Sequence, residues 1–201
     1  MSIEKAGSQR CDSWRIYNTP SDAANTAVRS FLTQLGEQYY GGKFNTGSGP
    51  GKETWRKIRE EEFVGKCAYC DAVTVKPTIE HLVMFNREQC GLHHPGNIAP
   101  CCNGCNKRLR TETKQYTDWD THLAMVVENN GGSISDLNFR KKRIKEHMGK
   151  WGYPKLTTDE LNAIRALANS LYAGVQAEVN KSVSLFQVLD RTLIQGRGSK
   201  A

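Results

Sequence analysis

The stretch Cys67-Ala-Tyr-Cys70, Thr78-Ile-Glu-His-Leu-Val83 and Asn97-Ile-Ala-Pro-Cys-Cys-Asn-Gly-Cys-Asn-Lys107 decides how this chain folds. It holds two Cys-x2-Cys pairs, Cys67/Cys70 and Cys102/Cys105, the commonest way to offer four thiolates tetrahedrally to Zn2+. Cys101 competes with its neighbour, but only Cys102 keeps the x2 spacing to Cys105. On a strand Cys101 would point the other way and serve as buried packing. A simple zinc ribbon separates its knuckles by about 15–20 residues, and here the gap is nearly twice that. The insert carries Glu80, His81 and Asn97, and Asn106 follows the last cysteine directly.

The rest of the composition limits the partners. The chain has 201 residues, seven cysteines and a formal charge of +7. That balance favours a polyanionic partner, with nucleic acid the best fit. No apolar run approaches the roughly 20 residues of a membrane span, and Met1 to Arg10 has no hydrophobic signal core. The expectation is therefore a cytoplasmic protein whose reduced cysteines serve metal rather than disulfides. Cys11 lies outside the cluster. Gly51-Lys52-Glu53-Thr54 superficially suggests a phosphate loop, but its first glycine is misplaced and no strand precedes it. No nucleotide cofactor is expected.

The order and spacing of Thr78-Ile-Glu-His-Leu-Val83, Asn97-Ile-Ala-Pro-Cys-Cys102 and Cys105-Asn-Lys-Arg108 resemble the HNH endonucleases of the ββα-metal fold. The likeness is to the zinc-stapled branch, which includes small restriction enzymes, and it covers less than a quarter of the chain. The resemblance implies an α+β core in which a β-hairpin precedes a helix, with His81 on the first strand and Asn106 on the helix. His81 would be the general base, since a neutral imidazole takes a proton from water near pH 7. Glu80 and Asn106 would hold Mg2+ or another hard divalent cation. Asn97 would start the second strand and pin the His81 loop. Many relatives carry Asp where this chain has Glu80; the carboxylate is kept on a longer arm. Lys107, Arg108 and Arg110 would follow on the same helix and meet DNA phosphates. Cys90, His93 and His94 fall in the loop between the strands, where histidines more often face solvent or DNA than a second metal.

The flanks read as helices, giving three regions: an N-terminal helical region with a Gly-rich connector at 1–63, the zinc-stapled core at 64–120, and a C-terminal helical region at 121–201. Trp14, Ile16 and Tyr17 suggest an arm that packs on the core. A helix starts near Ser21-Asp22 and runs to Tyr40. Residues 41–51 are rich in Gly, Ser, Asn and Pro and predict a linker; a short charged helix with Trp55, Ile58 and Phe63 inward follows at 53–63. Residues 71–75 suggest a small strand, and the helix after the second knuckle is expected to run from Asn103 to Trp119. The run Arg140-Lys-Lys-Arg143 lies on a helix capped by Ser133 or Ser135. It reads either as a solvated face or as a phosphate-contacting one. Thr157-Thr-Asp-Glu160 is a capping box that opens a long helical pattern to Ile194, with Leu161, Ile164, Ala168, Leu171, Val175, Leu185 and Leu189 near heptad positions. Gly174 and Asn180 favour a bend in it. Such a helix covers its own core or pairs with a second copy.

The resemblance implies an endonuclease that cuts double-stranded DNA to 5′-phosphate and 3′-hydroxyl ends, a type II restriction enzyme first and a phage or homing nuclease second. A homodimer would match a palindromic site. The reading of another class is a zinc module that binds DNA without cutting it. That module has no need of Glu80, His81, Asn97 and Asn106 at these spacings.

Overall fold

The computed structural model describes residues 19–113 and 115–194, without the side chain of Ile194; the expectations for Cys11 and for the Trp14 arm lie outside it. The elements are α1 (Pro20–Tyr40), α2 (Gly49–Lys57), a π-turn (Ile58–Glu62), β1 (Thr78–His81), a 3-10 turn (Pro95–Asn97), β2 (Ile98–Cys101), α3 (Trp119–Asn129), α4 (Ile134–Lys150) and α5 (Thr158–Leu189), the last continued by a π-turn (Asp190–Ile194). This is mixed α and β with one antiparallel pair, Thr78 opposite Cys101 and His81 opposite Ile98. Among the described residues no helix is long and apolar enough to cross a membrane.

Local chemistry explains most boundaries. Thr19 and Asp22 exchange side-chain and backbone bonds that start α1, one turn-residue earlier than the Ser21-Asp22 expectation. Pro50 sits in the first turn of α2, where its missing N–H costs nothing, so the linker ends sooner than expected. Ser133 and Asp136 form a reciprocal capping box at α4, and Thr157 with Glu160 does the same for α5. Gly174 and Asn180 do not break α5. The strand expected at 71–75 is reduced to one bridge, Lys66 to Val73.

The largest difference follows the second knuckle. Among the described residues between Asn103 and Asp118 no helix forms; they make turns, and Arg110 bridges Tyr116. The next helix, α3, begins only at Trp119, capped by Asp118. Two cysteines and Asn106 take the backbone through tight turns, Cys105 and Asn106 N–H both bonding Cys102 O, and a helix cannot start until those are complete.

Two units are distinguished, residues 29–168 and residues 1–28 with 169–201. In the larger unit the core gathers Phe44, Trp55, Ile58 and Phe63 with Tyr69, Leu82, Ile98, Leu123 and Ile144. The first knuckle joins the sheet through Ala68 N–H, which donates to Pro100 O at 2.8 Å. In the smaller unit Gln176 donates to Ser21 Oγ at 2.8 Å. Along α5, Ile164 and Ala168 are buried, whereas Val183, Leu185, Phe186 and Leu189 are exposed.

Candidate functional site

The four thiols of Cys67, Cys70, Cys102 and Cys105 offer sulfurs that all lie within 4.8 Å of one another, and among the described residues no other such group of three or more occurs. Each comes from a tight turn. Asp71 N–H returns to Cys67 O while Asp71 takes a left-handed φ of 62°. The cysteines are free, and Cys70 Sγ lies 3.8 Å from Cys102 Sγ, far beyond a disulfide bond. Hydrogen bonds from Cys101 and Cys105 pull the Cys67 thiol strongly down. Burial, with the Cys67 charge adding to it, pushes Cys70 up to about 11. The bond to Cys67, then burial, pushes Cys105 up as well. Four thiolates cannot share this space without a cation, and an all-thiolate tetrahedral set suits Zn2+. Cys101 is fully buried, its Sγ 3.9 Å from that of Cys67.

Asn97 is completely buried at the entry to β2. Its Nδ2 donates to Val83 O at 2.9 Å and to Leu92 O at 2.8 Å, and its Oδ1 accepts from Val83 N–H at 2.7 Å. Both ends of the loop after His81 are thus tied to one amide. Gly91 is needed in that loop, because a Cβ there would lie 2.0 Å from Val83 O.

Neighbours on a strand point to opposite faces, and Glu80 and His81 do so. Glu80 is buried, and its Oε1 accepts from Tyr69 Oη at 3.0 Å and from the Arg108 guanidinium. Burial raises its carboxyl pKa, against the pull of Arg108. Both donors fall on Oε1; Oε2 takes none among the described residues. Thr78 shares the Glu80 face, and its Oγ1 accepts from Asn106 Nδ2 at 2.8 Å. Glu80 Oε2 and Asn106 Oδ1 are therefore oxygens on one side of β1, of the kind a hard cation takes.

His81 faces a different space. Its ring stacks on Phe85, 4.6 Å between centres and 13° between planes. Nε2 lies 3.0 Å from His93 Nδ1. The pair lines a cleft of about 360 Å³ with Thr33, Glu37, Phe44 and Phe85. Glu80 and Asn106 do not line that cleft. Burial, then the neighbouring His93, lowers the His81 pKa to about 3, so its imidazole is neutral at pH 7.

The loop histidines do not face solvent as expected. His93 pairs with His81, and His94 is fully buried, its Nδ1 accepting from Gly96 N–H at 3.0 Å. Cys90 is also buried. The three do not converge on a metal.

The expected phosphate-binding cations divide. The Arg108 side chain is only 3% exposed; besides Glu80 it donates to the carbonyls of His81 and Leu82. It is a buried pin, not a surface cation, because the chain turns it under β1. Arg140 and Arg143 share the face of Ile144 and His147, as residues three and four apart do. Arg140 donates to Tyr69 O at 2.9 Å, and Arg143 to Asp71 Oδ1 at 2.8 Å while lying over the Phe63 ring. Both hold α4 to the first knuckle. Their spacing from Leu137 and Ile144 was the sequence signal for that inward face. Lys141 pairs with Asp120. Lys107, Arg110 and Lys142 are exposed, with Arg110 over the Tyr116 ring at 4.1 Å. Sequence reasoning missed a further polar centre: Glu62 binds His147 Nδ1 at 2.6 Å, Lys150 at 2.8 Å and Trp151 at 2.9 Å.

Comparison with family models, curated proteins and solved structures gave no match to this chain.

Proposed function

We propose that this protein is a divalent-metal-dependent endonuclease of the HNH type, acting on double-stranded DNA. The observation that carries the reading is the loop after His81, tied at both ends by the Asn97 amide and set on a strand pair beside the four-thiol cluster. A zinc-binding module alone has no use for such a loop. In this reading Zn2+ staples the two knuckles. Glu80 Oε2 and Asn106 Oδ1 are the protein ligands of a second, harder cation, which would polarise the phosphate and steady the leaving 3′ oxygen. His81, neutral at pH 7, takes the proton of the attacking water. The base and the cation ligands occupy opposite faces of β1, so in this reading the scissile phosphate would have to bridge them at the end of the strand. Of the cations expected at DNA, Lys107, Arg110 and Lys142 are exposed and would contact the DNA backbone. Restriction is the first role, with cleavage to 5′-phosphate and 3′-hydroxyl ends. The exposed apolar residues at 183–189 of α5 support pairing with a second copy, which sedimentation would measure.

One observation favours a second reading. Glu80 already satisfies a buried guanidinium, as it would in a zinc module that binds DNA without cutting. Plasmid cleavage with magnesium separates the two. His81→Ala should still fold, hold its zinc and bind DNA, and cut at least about 100-fold more slowly. Cleavage at the wild-type rate by this variant removes His81 from the chemistry, and no cleavage by the wild type leaves the DNA-binding module.

A further inference from the structure

The contact between His81 and His93 is unusually directional. A ring nitrogen lies roughly 1.1–1.2 Å from its ring centre, so a 3.0 Å N···N distance and a 5.3 Å centre separation leave the two rings end to end on one line. Two imidazoles sharing a tetrahedral ion would instead converge at an angle. This is the geometry of one proton held between two nitrogens. His81 Nδ1 is not part of it. That atom has no hydrogen-bond partner among the described residues, nor is it one of the buried nitrogens left unpartnered.

Packing fixes both rings. Phe85 covers a face of His81. Phe44 lies 5.0 Å from the His93 ring, and its N–H donates to Glu37 Oε1. Glu37 lines the same cleft. The backbone of His93 rests on Gly36 of α1, where a Cβ would stand 2.2 Å from His93 O. The α1 helix thus sets where His93 sits.

We infer that His93 is the positioning residue of the base: its Nδ1 accepts the Nε2–H of His81, which holds His81 in the tautomer whose Nδ1 lone pair is bare. This rests on the nuclease reading for its use, though not for its geometry. A neutral imidazole carries one N–H, so a proton fixed on Nε2 leaves Nδ1 as the only basic nitrogen. The attacking water then gives its proton to Nδ1. Its oxygen forms the new bond to phosphorus, and the bond to the 3′ oxygen breaks with its electron pair, that oxygen taking a proton from solvent. The imidazolium so formed donates a charge-assisted bond to His93, stronger than the neutral one. The arrangement is that of a base oriented by a third group, with an imidazole as the orienter.

Long-range proton–nitrogen NMR of the zinc-loaded protein at neutral pH reads the tautomer directly. The expected result is His81 protonated on Nε2, and a mixture of tautomers in His93→Ala. Plasmid cleavage should fall about 10–100-fold in His93→Ala, the range for a lost orienting partner. It should recover in part in His93→Asn, whose side-chain oxygen stands near the lost Nδ1. Zinc content and melting temperature show that each variant is folded. A wild-type His81 protonated on Nδ1 overturns the inference, as does a His93→Ala variant with unchanged tautomer and rate. If the tautomer is as stated and the wild type cuts no DNA, the histidine pair stands and the nuclease reading falls.

Discussion

Replacing Asn97 with alanine tests whether one side chain holds the loop of the candidate site. The wild-type amide is sealed from water and makes three hydrogen bonds, to Val83 N–H, Val83 O and Leu92 O. Each such bond contributes about 1 kcal/mol net, and a buried group left without its partner costs about 1–3 kcal/mol. Truncation strands one N–H and two carbonyls, and Leu92 is itself fully buried, so at least the net worth of the three bonds is lost. The expected loss is therefore about 3 kcal/mol. For a chain of this length that lowers the melting temperature by roughly 6–12 °C. Urea denaturation with zinc held constant should show a lower midpoint at unchanged slope. The zinc stoichiometry should stay the same, because no thiol is touched. A stability loss below about 1 kcal/mol would refute the argument, since it means that the loop keeps its shape without the amide.

Other changes probe other parts. Cys70→Ala should lose zinc and folded protein together, measured by metal analysis and thermal melting, because binding energy at such a site is folding energy. Gly36→Ala should gain about 1 kcal/mol of helix propensity. The new Cβ would stand 2.2 Å from a backbone oxygen that cannot swing away, so a net destabilisation of about 1–2 kcal/mol is expected by denaturant titration. Burial opposes ionisation of Glu62, yet bonds from His147 and Lys150 prevail and lower its pKa to about 2. A depressed carboxylate stabilises fully above its unfolded pKa and stops doing so as pH falls through the folded one. Stability from this group should fade between about pH 4.5 and 2, and Glu62→Gln should flatten that part of the profile. His81 works in the same direction at higher pH. Its folded pKa is lowered to about 3, so the unfolded chain takes up the proton first, and stability should drop as pH falls below the ordinary histidine range near 6.5.

The parts of the fold readable in the sequence are those fixed by local chemistry. Cys-x2-Cys turns and the Ser133 and Thr157 caps depend on a few adjacent residues and occur where the spacing put them, while the Gly-rich break before α2 ends sooner than its composition suggested. The stretch after Cys105 was not readable. Apolar and basic residues from Lys107 to Tyr116 are compatible with a helix, but Arg108 is drawn under β1 by a carboxylate distant in the chain. The same holds for Arg140 and Arg143, whose partners lie in the first knuckle. A charge run declares its cations and not their direction. The His81–His93 contact was hidden because it depends on α1 packing against a loop far away in sequence.

Pro100 has a consequence for handling the protein. Its carbonyl accepts from the first knuckle, so it points away from β1, and in a strand the nitrogen faces the same way as the oxygen. The missing proline donor therefore lies on the outer rim of the two-strand ribbon and removes no bond from it. That rim is capped by the knuckle. Chelation would free the knuckle and bare an edge that only one proline guards against strand-to-strand stacking between molecules. Metal-stripped protein should therefore turn turbid with time and concentration, and stay clear when zinc is returned early.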